Sequence, residues 1–418
     1  MGHLVGKDLY RKLGKKIDGL MIRAPWNETL YAILKELYTE EEADLVAKMP
    51  YGLATLDQIA ETTKYDRTRL QNILERLAEK GLVMDVWLLG GYRYMISPMV
   101  IGIFEFTMMR TRGELNHKEW AALFNAYMHG DDAFYRANFK PGFRISPLRV
   151  LPYEDAIDSD EFVEVLDYEK ASAIVDLHTK FSIGICSCRH EKLHAGIKKC
   201  DVPLETCSTF GHGADWMVGH GFAKSVSKDE MMDNLARSKE LGLVLTTDST
   251  KQNMDFICHC CGCCCNILLG ISRFGYPNTV VTSTFIAECN DESCSECGTC
   301  AKACPINAIT MLEDGAPAVD RSICIGCGVC GLQCTTGAMR LIKREQRVLH
   351  PEDTMERVIL QCLERGTLQN QMFTDPGRLD HRFMRAVVGG FLKLPPVKSA
   401  LMSDTLRSRF LGMMRKGR

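Results

Sequence analysis

The sequence predicts an α+β protein of several domains, and three observations carry that prediction. Residues 26–98 read as helices at 3.6-residue spacing that give way to two strand-like runs. Residues 161–345 alternate short apolar runs of strand length with helical stretches, and 19 of the 20 cysteines fall there. Residues 346–418 return to a helical pattern.

Residues 1–25 alternate basic and apolar side chains without a sustained period and read as an arm. From Asn27, Leu30, Ile33, Leu34 and Leu37 recur at helical spacing. A second helix fits Leu56 to Thr62, and a third fits Asp66 to Lys80. Asp66 is a good N-cap for the third, Leu70, Ile73, Leu74 and Leu77 form its apolar stripe, and Gly81 ends it. Leu82–Met84 and Tyr92–Met95 then read as strands around Gly90 and Gly91. Helices and hairpin in this order are similar to the winged-helix modules of transcription regulators, whose third helix enters the major groove. Here that helix carries Arg67, Arg69, Arg76 and Lys80 but also Asp66, Glu75 and Glu79, so it lacks the basic footprint of a DNA reader. The expected role is packing, a homodimer contact or docking of another protein, and DNA is not the expected partner.

Residues 99–160 read as a helical connector, with Trp120, Leu123, Phe124, Tyr127 and Met128 in pattern and Pro141, Pro147 and Pro152 breaking the chain. A helical pattern from Glu161 through Leu166, Ala173, Ile174 and Leu177 leads to Cys186, Cys188, Arg189 and His190, then Cys200 and Cys207. Their spacing, C-x-C-x11-C-x6-C, matches no zinc-finger pattern but can close on a metal centre. Arg189 would offset the charge of such a centre or donate to its sulfurs; His190 and His194 read as neighbours of the site and not as ligands. Ser227 and Glu230 form a capping box for a helix to about Leu241, Gly242 ends it, and Leu243–Leu245 reads as a buried strand.

Six cysteines then fall in eight residues: Cys258, Cys260, Cys261, Cys263, Cys264 and Cys265, with His259 and Gly262 between. Adjacent side chains diverge on a regular backbone, so one cubane cannot use all six. Either some of them complete a centre with Cys186, Cys188, Cys200 and Cys207 and the rest are structural or redox-active thiols, or the ten divide between two additional clusters with surplus thiolates nearby. Spacing does not decide which thiols bind iron. Cys289 and Cys362 fall outside every pattern and read as small buried residues.

Cys294, Cys297, Cys300 and Cys304 read C-x2-C-x2-C-x3-C with Pro305 following, and Cys324, Cys327, Cys330 and Cys334 repeat the spacing 30 residues later. A loop with cysteines at every third residue supplies three corners of a cubane and leaves the fourth to a distant residue. Ile309–Leu312, Asp314-Gly315 and Ala318–Asp320 read as strand, turn and returning strand. Over roughly residues 280–345 the sequence resembles the two-[4Fe-4S] bacterial ferredoxin module. The resemblance implies crossed ligation, with Cys294, Cys297, Cys300 and Cys334 on one cluster and Cys324, Cys327, Cys330 and Cys304 on the other. Thr335 stands where that family often has a second proline, which weakens a turn signal and removes no ligand. The rival reading, zinc on C-x2-C pairs, does not call for a twofold repeat of four cysteines.

Taken together, residues 25–345 resemble a group of winged-helix-containing, cysteine-rich iron–sulfur proteins of anaerobic bacteria and archaea. That resemblance implies oxygen-sensitive electron transfer and names no substrate.

With 46% hydrophobic content over 418 residues the chain can bury a large core, and 51 basic against 53 acidic residues give no global pull towards nucleic acid. Long chain and clustered cysteines exclude a secreted disulfide scaffold. Lys7, Asp8, Arg11 and Lys12 interrupt any signal-peptide core, and no stretch approaches the ~18 apolar residues of a membrane span. A reducing cytoplasm, in an anaerobe, is the expected compartment. From His381 onward nine Lys or Arg stand against one acidic residue, Asp404, among Phe383, Phe391, Leu394 and Phe410, so contact with the inner face of a membrane or an acidic partner is expected of this tail.

The expected organisation is an N-terminal arm (1–25), a winged-helix-like domain (26–98), a helical connector (99–160), a cysteine-rich α/β domain (161–279), a two-[4Fe-4S] ferredoxin-like insert (280–345) and a helical basic tail (346–418). The expected function is single-electron relay through two [4Fe-4S] clusters and one or two further clusters, serving a redox partner or a larger complex. No flavin or nicotinamide site is read. Two other readings are an oxidoreductase with an open or unusual cluster near residues 258–265, using His212, His220 or His259 as acid or base, and a redox sensor acting on DNA.

Overall fold

The computed structural model describes residues 2–113, 115–158, 167–345 and 350–416. Glu161 and Leu166, in the predicted helical pattern, lie outside the described residues, as does the start of the basic tail at 346. The chain is mixed α and β and divides into two compact units, residues 1–138 with 355–418, and residues 139–354.

The first unit is helical apart from one hairpin. Residues 1–25 hold a helix, Gly2–Asp18, where the sequence reads as an arm. Tyr10, Leu13 and Ile17 stand three and four residues apart and are buried, and the basic residues between them mask that short stripe in the sequence. Glu28–Leu37 starts at Asn27, whose side chain accepts from the Leu30 N–H, and Glu40–Lys48 and Leu56–Thr63 start at capping boxes on Thr39 and Thr55. Arg67–Glu79 is capped by Asp66 and buries Leu70, Ile73, Leu74 and Leu77. Strands β1 (Val83–Leu88) and β2 (Gly91–Ile96) pair antiparallel, and Leu89 and Gly90 turn between them with φ of 52° and 78°. The cations of Arg67–Glu79 and its cap face acids of this unit: Arg67 meets Asp57, Arg69 and Arg76 meet Glu41, and Lys80 meets the buried Glu42. Cys362 is fully buried in the helix Thr354–Arg365.

The second unit is built on a seven-stranded sheet. Its strands are β3 (Leu148–Leu151), β4 (Phe181–Ile185), β5 (Glu205–Phe210), β6 (Ala223–Val226), β7 (Val244–Asp248), β8 (Phe256–Cys260) and β9 (Val280–Val281), in spatial order β6-β4-β5-β8-β7-β3-β9. All neighbours are antiparallel except β3 and β9. Strand β3 falls within the stretch read as a connector. Its four residues are all buried, so it has no polar alternation to betray it, and Pro147 and Pro152 flank it. The Ser227 capping box opens the helix Lys228–Glu240, and β7 follows, buried along its whole length.

The eight-cysteine segment adds two antiparallel pairs, β10 (Phe285–Cys289) with β13 (Met339–Lys343) and β11 (Ile309–Met311) with β12 (Pro317–Val319). Tyr153, just past β3, pins this segment to the sheet: its N–H donates to the Cys327 carbonyl at 3.1 Å and its hydroxyl to the Leu243 carbonyl at 2.6 Å.

Candidate metal centres

The two four-cysteine loops fold alike. Gly298 and Gly328 follow Cys297 and Cys327 with φ of 69° and 84°, and each opens a short helix, Thr299–Ala303 or Val329–Leu332. Gly326 has φ 65°, and a Cβ there would lie 2.1 Å from the Phe285 carbonyl oxygen, so the loop closes only around glycine.

Cys304 of the first copy and Cys324, Cys327 and Cys330 of the second line one cavity, with Ile306, Ile325 and Leu341 around them. Burial pushes the Cys327 thiol up to about 12 and that of Cys330 well above its ordinary value. Four thiolates gathered in such a place need a cation core to be stable, and this donor set fits an iron–sulfur cluster. The Ala308 N–H donates to Cys304 Sγ at 3.2 Å. In the other set, burial and the nearby thiols of Cys294 and Cys334 push Cys300 up. Glu296 and Met339 donate N–H groups to Cys294 at 3.4 Å and Cys334 at 3.3 Å. Thr299 beside the exposed Cys297 brings its thiol down to about 7. Cys289 is not a plain core residue. It ends β10 half-buried against Cys294, and burial with that contact pushes it up to about 12. The only hint in the sequence is its position five residues before Cys294.

The other ten cysteines gather into two groups. Strand β8 explains the division, because Cys258 and Cys260 point to one face of the sheet and His259 to the other. On the cysteine face Cys258 touches Cys207 of β5, and Cys265 touches Cys188 and Cys260. Cys186 feels both Cys188 and Cys207, and burial pushes it up to about 12 against the pull of Arg189. The N–H groups of Arg189, Asn266 and Leu268 point at the sulfurs of Cys186, Cys188 and Cys265. These six thiols form a looser group that offers more than the four ligands of a cubane.

A buried triad ties together the helices Ser187–His194 and Asn266–Ser272, which follow Cys186 and Cys265. Lys192 donates to Glu191 at 2.7 Å and to Asn266 at 2.9 Å, and Asn266 donates to the second Glu191 oxygen at 2.9 Å. No spacing rule in the sequence points to it.

Cys200, Cys261, Cys263 and Cys264 form the second group, with every sulfur within 4.8 Å of the others. Arg189 lies between the groups, fully buried. It donates to the Pro203 carbonyl at 2.6 Å, Thr206 Oγ1 at 2.7 Å and the His259 carbonyl, and its charge faces Cys186, Cys261 and Cys260. His259 contacts Ser208 at 2.8 Å and Ser238 at 2.6 Å on the opposite face of the sheet, and burial beside Arg189 brings it down to about 3. It serves the packing of β8 and does not reach the sulfurs. His212 is exposed on the helix Gly211–Gly219, and His220 packs 4.7 Å from Trp216. His190 and His194 contact each other at 2.8 Å.

Residues 293–356 match the 4Fe-4S dicluster domain. Over 93 residues the chain is 33% identical to an uncharacterised ferredoxin of Methanocaldococcus jannaschii, covering 22% of this chain and 54% of that one. It is 41% identical over 56 residues to one component of the Na(+)-translocating ferredoxin:NAD(+) oxidoreductase complex of Acetobacterium woodii, covering 13% of this chain and 17% of the other. It is 48% identical over 40 residues to formate hydrogenlyase subunit 2 of Escherichia coli, covering 10% and 19%. The chain thus spans about half of the first relative and under a fifth of the other two. No solved structure matches it. The matched domain and its two four-cysteine loops make this an iron–sulfur protein that carries [4Fe-4S] clusters. No helix among the described residues is long and apolar enough to cross a membrane.

Proposed function

We propose that this chain relays single electrons through two ferredoxin-type [4Fe-4S] clusters and a further cluster in the six-thiol group, as part of a larger redox complex of anaerobic metabolism. The observation that carries the reading is the cavity where Cys304 of one loop joins Cys324, Cys327 and Cys330 of the other. Cys294, Cys297, Cys300 and Cys334 hold the first cluster, and Cys186, Cys188, Cys207, Cys258, Cys260 and Cys265 supply the ligands of the further one. A bound [4Fe-4S] cubane takes up and gives back one electron. The chain's own part is to spread the added charge over N–H donors such as those of Ala308 and Met339, and to keep water out with Ile306 and Ile325. Cys297 is exposed while Cys324, Cys327 and Cys330 are buried, so a partner approaches from the Cys297 side. Components of redox complexes among the relatives support an assembly of this kind.

The basic tail supports attachment of the relay to an anionic lipid surface. Leu379, Phe383, Val387 and Phe391 recur every four residues along Leu379–Leu392 and are 78%, 67%, 52% and 58% exposed, beside Arg382, Arg385 and Lys393.

The test is anaerobic iron and acid-labile sulfide per chain with EPR of the reduced protein. About 12 iron with matching sulfide is expected, and Cys297→Ser should remove or convert one ferredoxin cluster and leave the six-thiol signal intact. About 8 iron would confine the relay to the ferredoxin segment, and loss of every cluster together would end the reading of separate sites.

A further inference from the structure

We infer that Cys200, Cys261, Cys263 and Cys264 hold a single tetrahedral thiophilic metal ion, zinc or iron, instead of a cubane. The inference rests on the sulfur spacing. Cys200 lies 3.7 Å from Cys261 and 3.9 Å from Cys264, and Cys263 lies 3.9 Å from Cys261 and 3.5 Å from Cys264. Four thiolates at about 2.3 Å from one metal stand at the corners of a tetrahedron with edges of about 3.8 Å. In a [4Fe-4S] cubane each thiolate sits on its own iron, outside the cage, so the four cysteine sulfurs are held well apart. The ferredoxin cysteines follow that second pattern. Among the described residues no three of them come within 4.8 Å of one another, and one set of four stands round a cavity.

Backbone geometry explains how neighbouring cysteines reach one ion. The run leaves β8 at Cys260 and turns through Cys261–Cys264, where the Cys264 and Cys265 N–H groups both donate to the Cys261 carbonyl at 3.4 and 3.1 Å. On a strand Cys263 and Cys264 would point apart. In this turn their sulfurs converge. Cys200 arrives from the loop before β5, and Val202 and Leu243 pack against the group, with Cys261 and Cys264 buried and Cys200 and Cys263 half-buried. A divalent ion with four thiolates carries two negative charges, and the buried Arg189 guanidinium beside Cys261 offsets part of that charge. The composition of the site, four sulfurs and no open position, is that of a structural ion or a mononuclear iron–thiolate centre.

The experiment uses the full chain purified without oxygen. Zinc, iron and acid-labile sulfide are measured on one sample, and X-ray absorption is recorded at the zinc and iron edges. The expected result is one metal atom per chain in excess of the iron matched by sulfide. Zinc with four sulfurs at about 2.3 Å identifies a structural ion, and an excess iron identifies a mononuclear iron–thiolate; either supports the inference. Cys200→Ser should abolish that atom and leave sulfide unchanged. Iron equal to sulfide with no zinc, or a Cys200→Ser variant that loses about four iron and four sulfide, overturns it. If Cys200→Ser fails to fold, the stoichiometry and absorption spectrum of the wild type decide alone. Sulfide counts report the clusters of the proposed relay separately, so failure of one reading leaves the other standing.

Discussion

A Cβ on Gly262 would lie 2.3 Å from the carbonyl oxygen of Pro305, so the six-cysteine run and the loop just after Cys304 meet backbone to backbone. No side chain sets that separation. The contact seats the four-thiol group directly against the ferredoxin cavity, and it accounts for a glycine in the middle of a run otherwise made of cysteines. Gly262→Ala should therefore cost about 1–3 kcal/mol and lower the anaerobic thermal midpoint. An unchanged midpoint would mean that the two loops do not press on each other.

Gly326→Ala acts on one cluster only. The left-handed φ of 65° and the Phe285 carbonyl at 2.1 Å leave no room for a methyl group between Cys324 and Cys327. Iron should fall by about four per chain, with the Cys294 set still reducible by EPR. Full iron content in the variant would contradict the assignment of that cavity.

Arg189→Met leaves the carbonyls of Pro203 and His259 and the Thr206 hydroxyl without their buried donor. Stability should drop by about 3–5 kcal/mol. Loss of the positive charge beside Cys186 should also move the reduction potential of the six-thiol centre downward, while the ferredoxin potentials stay in place. Arg189→Lys keeps the charge and should hold the potential near that of the wild type while recovering little stability, since an ammonium cannot span three acceptors in the fork of a guanidinium. Spectroelectrochemistry of the three forms tests this, and equal potentials throughout would refute it.

His350 is buried edge-on to Tyr168, and burial, with the nearby charges of Arg149 and Lys251, brings it down to about 3. Its folded value lies below the unfolded value of about 6.5, so the neutral ring contributes fully above pH 6.5 and the contribution is lost as pH falls towards 3. At pH 5 the loss amounts to about 2 kcal/mol. His350→Phe keeps the ring packing and removes the titration. The variant should gain stability relative to the wild type between pH 6.5 and pH 5 in thermal melts; parallel pH profiles would show that the ring titrates in the fold as it does in the unfolded chain.

Phe383→Ser combined with Phe391→Ser should weaken sedimentation with phosphatidylserine vesicles several-fold and leave iron content unchanged. Equal binding by both proteins would retire the lipid-facing role of Leu379–Leu392.

The parts of the molecule legible in the sequence are those written in local spacing. The helix caps at Asp66 and Ser227, the buried strand at Val244, the strand and turn around Gly315, and the two cysteine repeats each depend on residues a few positions apart. The helix Gly2–Asp18 and strand β3 escaped because the first hides a short apolar stripe among lysines and the second has no exposed residues to give it a period.

By itself the sequence determined that this is an iron–sulfur protein. C-x2-C-x2-C-x3-C wraps three corners of a cubane through loop geometry alone, and it does so twice. Tertiary structure alone decided how the remaining ten cysteines are shared. Cys200 lies 61 residues before Cys261, yet its sulfur stands 3.7 Å away, and Cys207 meets Cys258 only because β5 and β8 are neighbours in the sheet. The alternation of β8 sends Cys258 and Cys260 to one site, and the turn that follows sends Cys261, Cys263 and Cys264 to another. Which thiols converge depends on strand order and on where the chain stops being regular, and neither is encoded in the distance between cysteines along the chain.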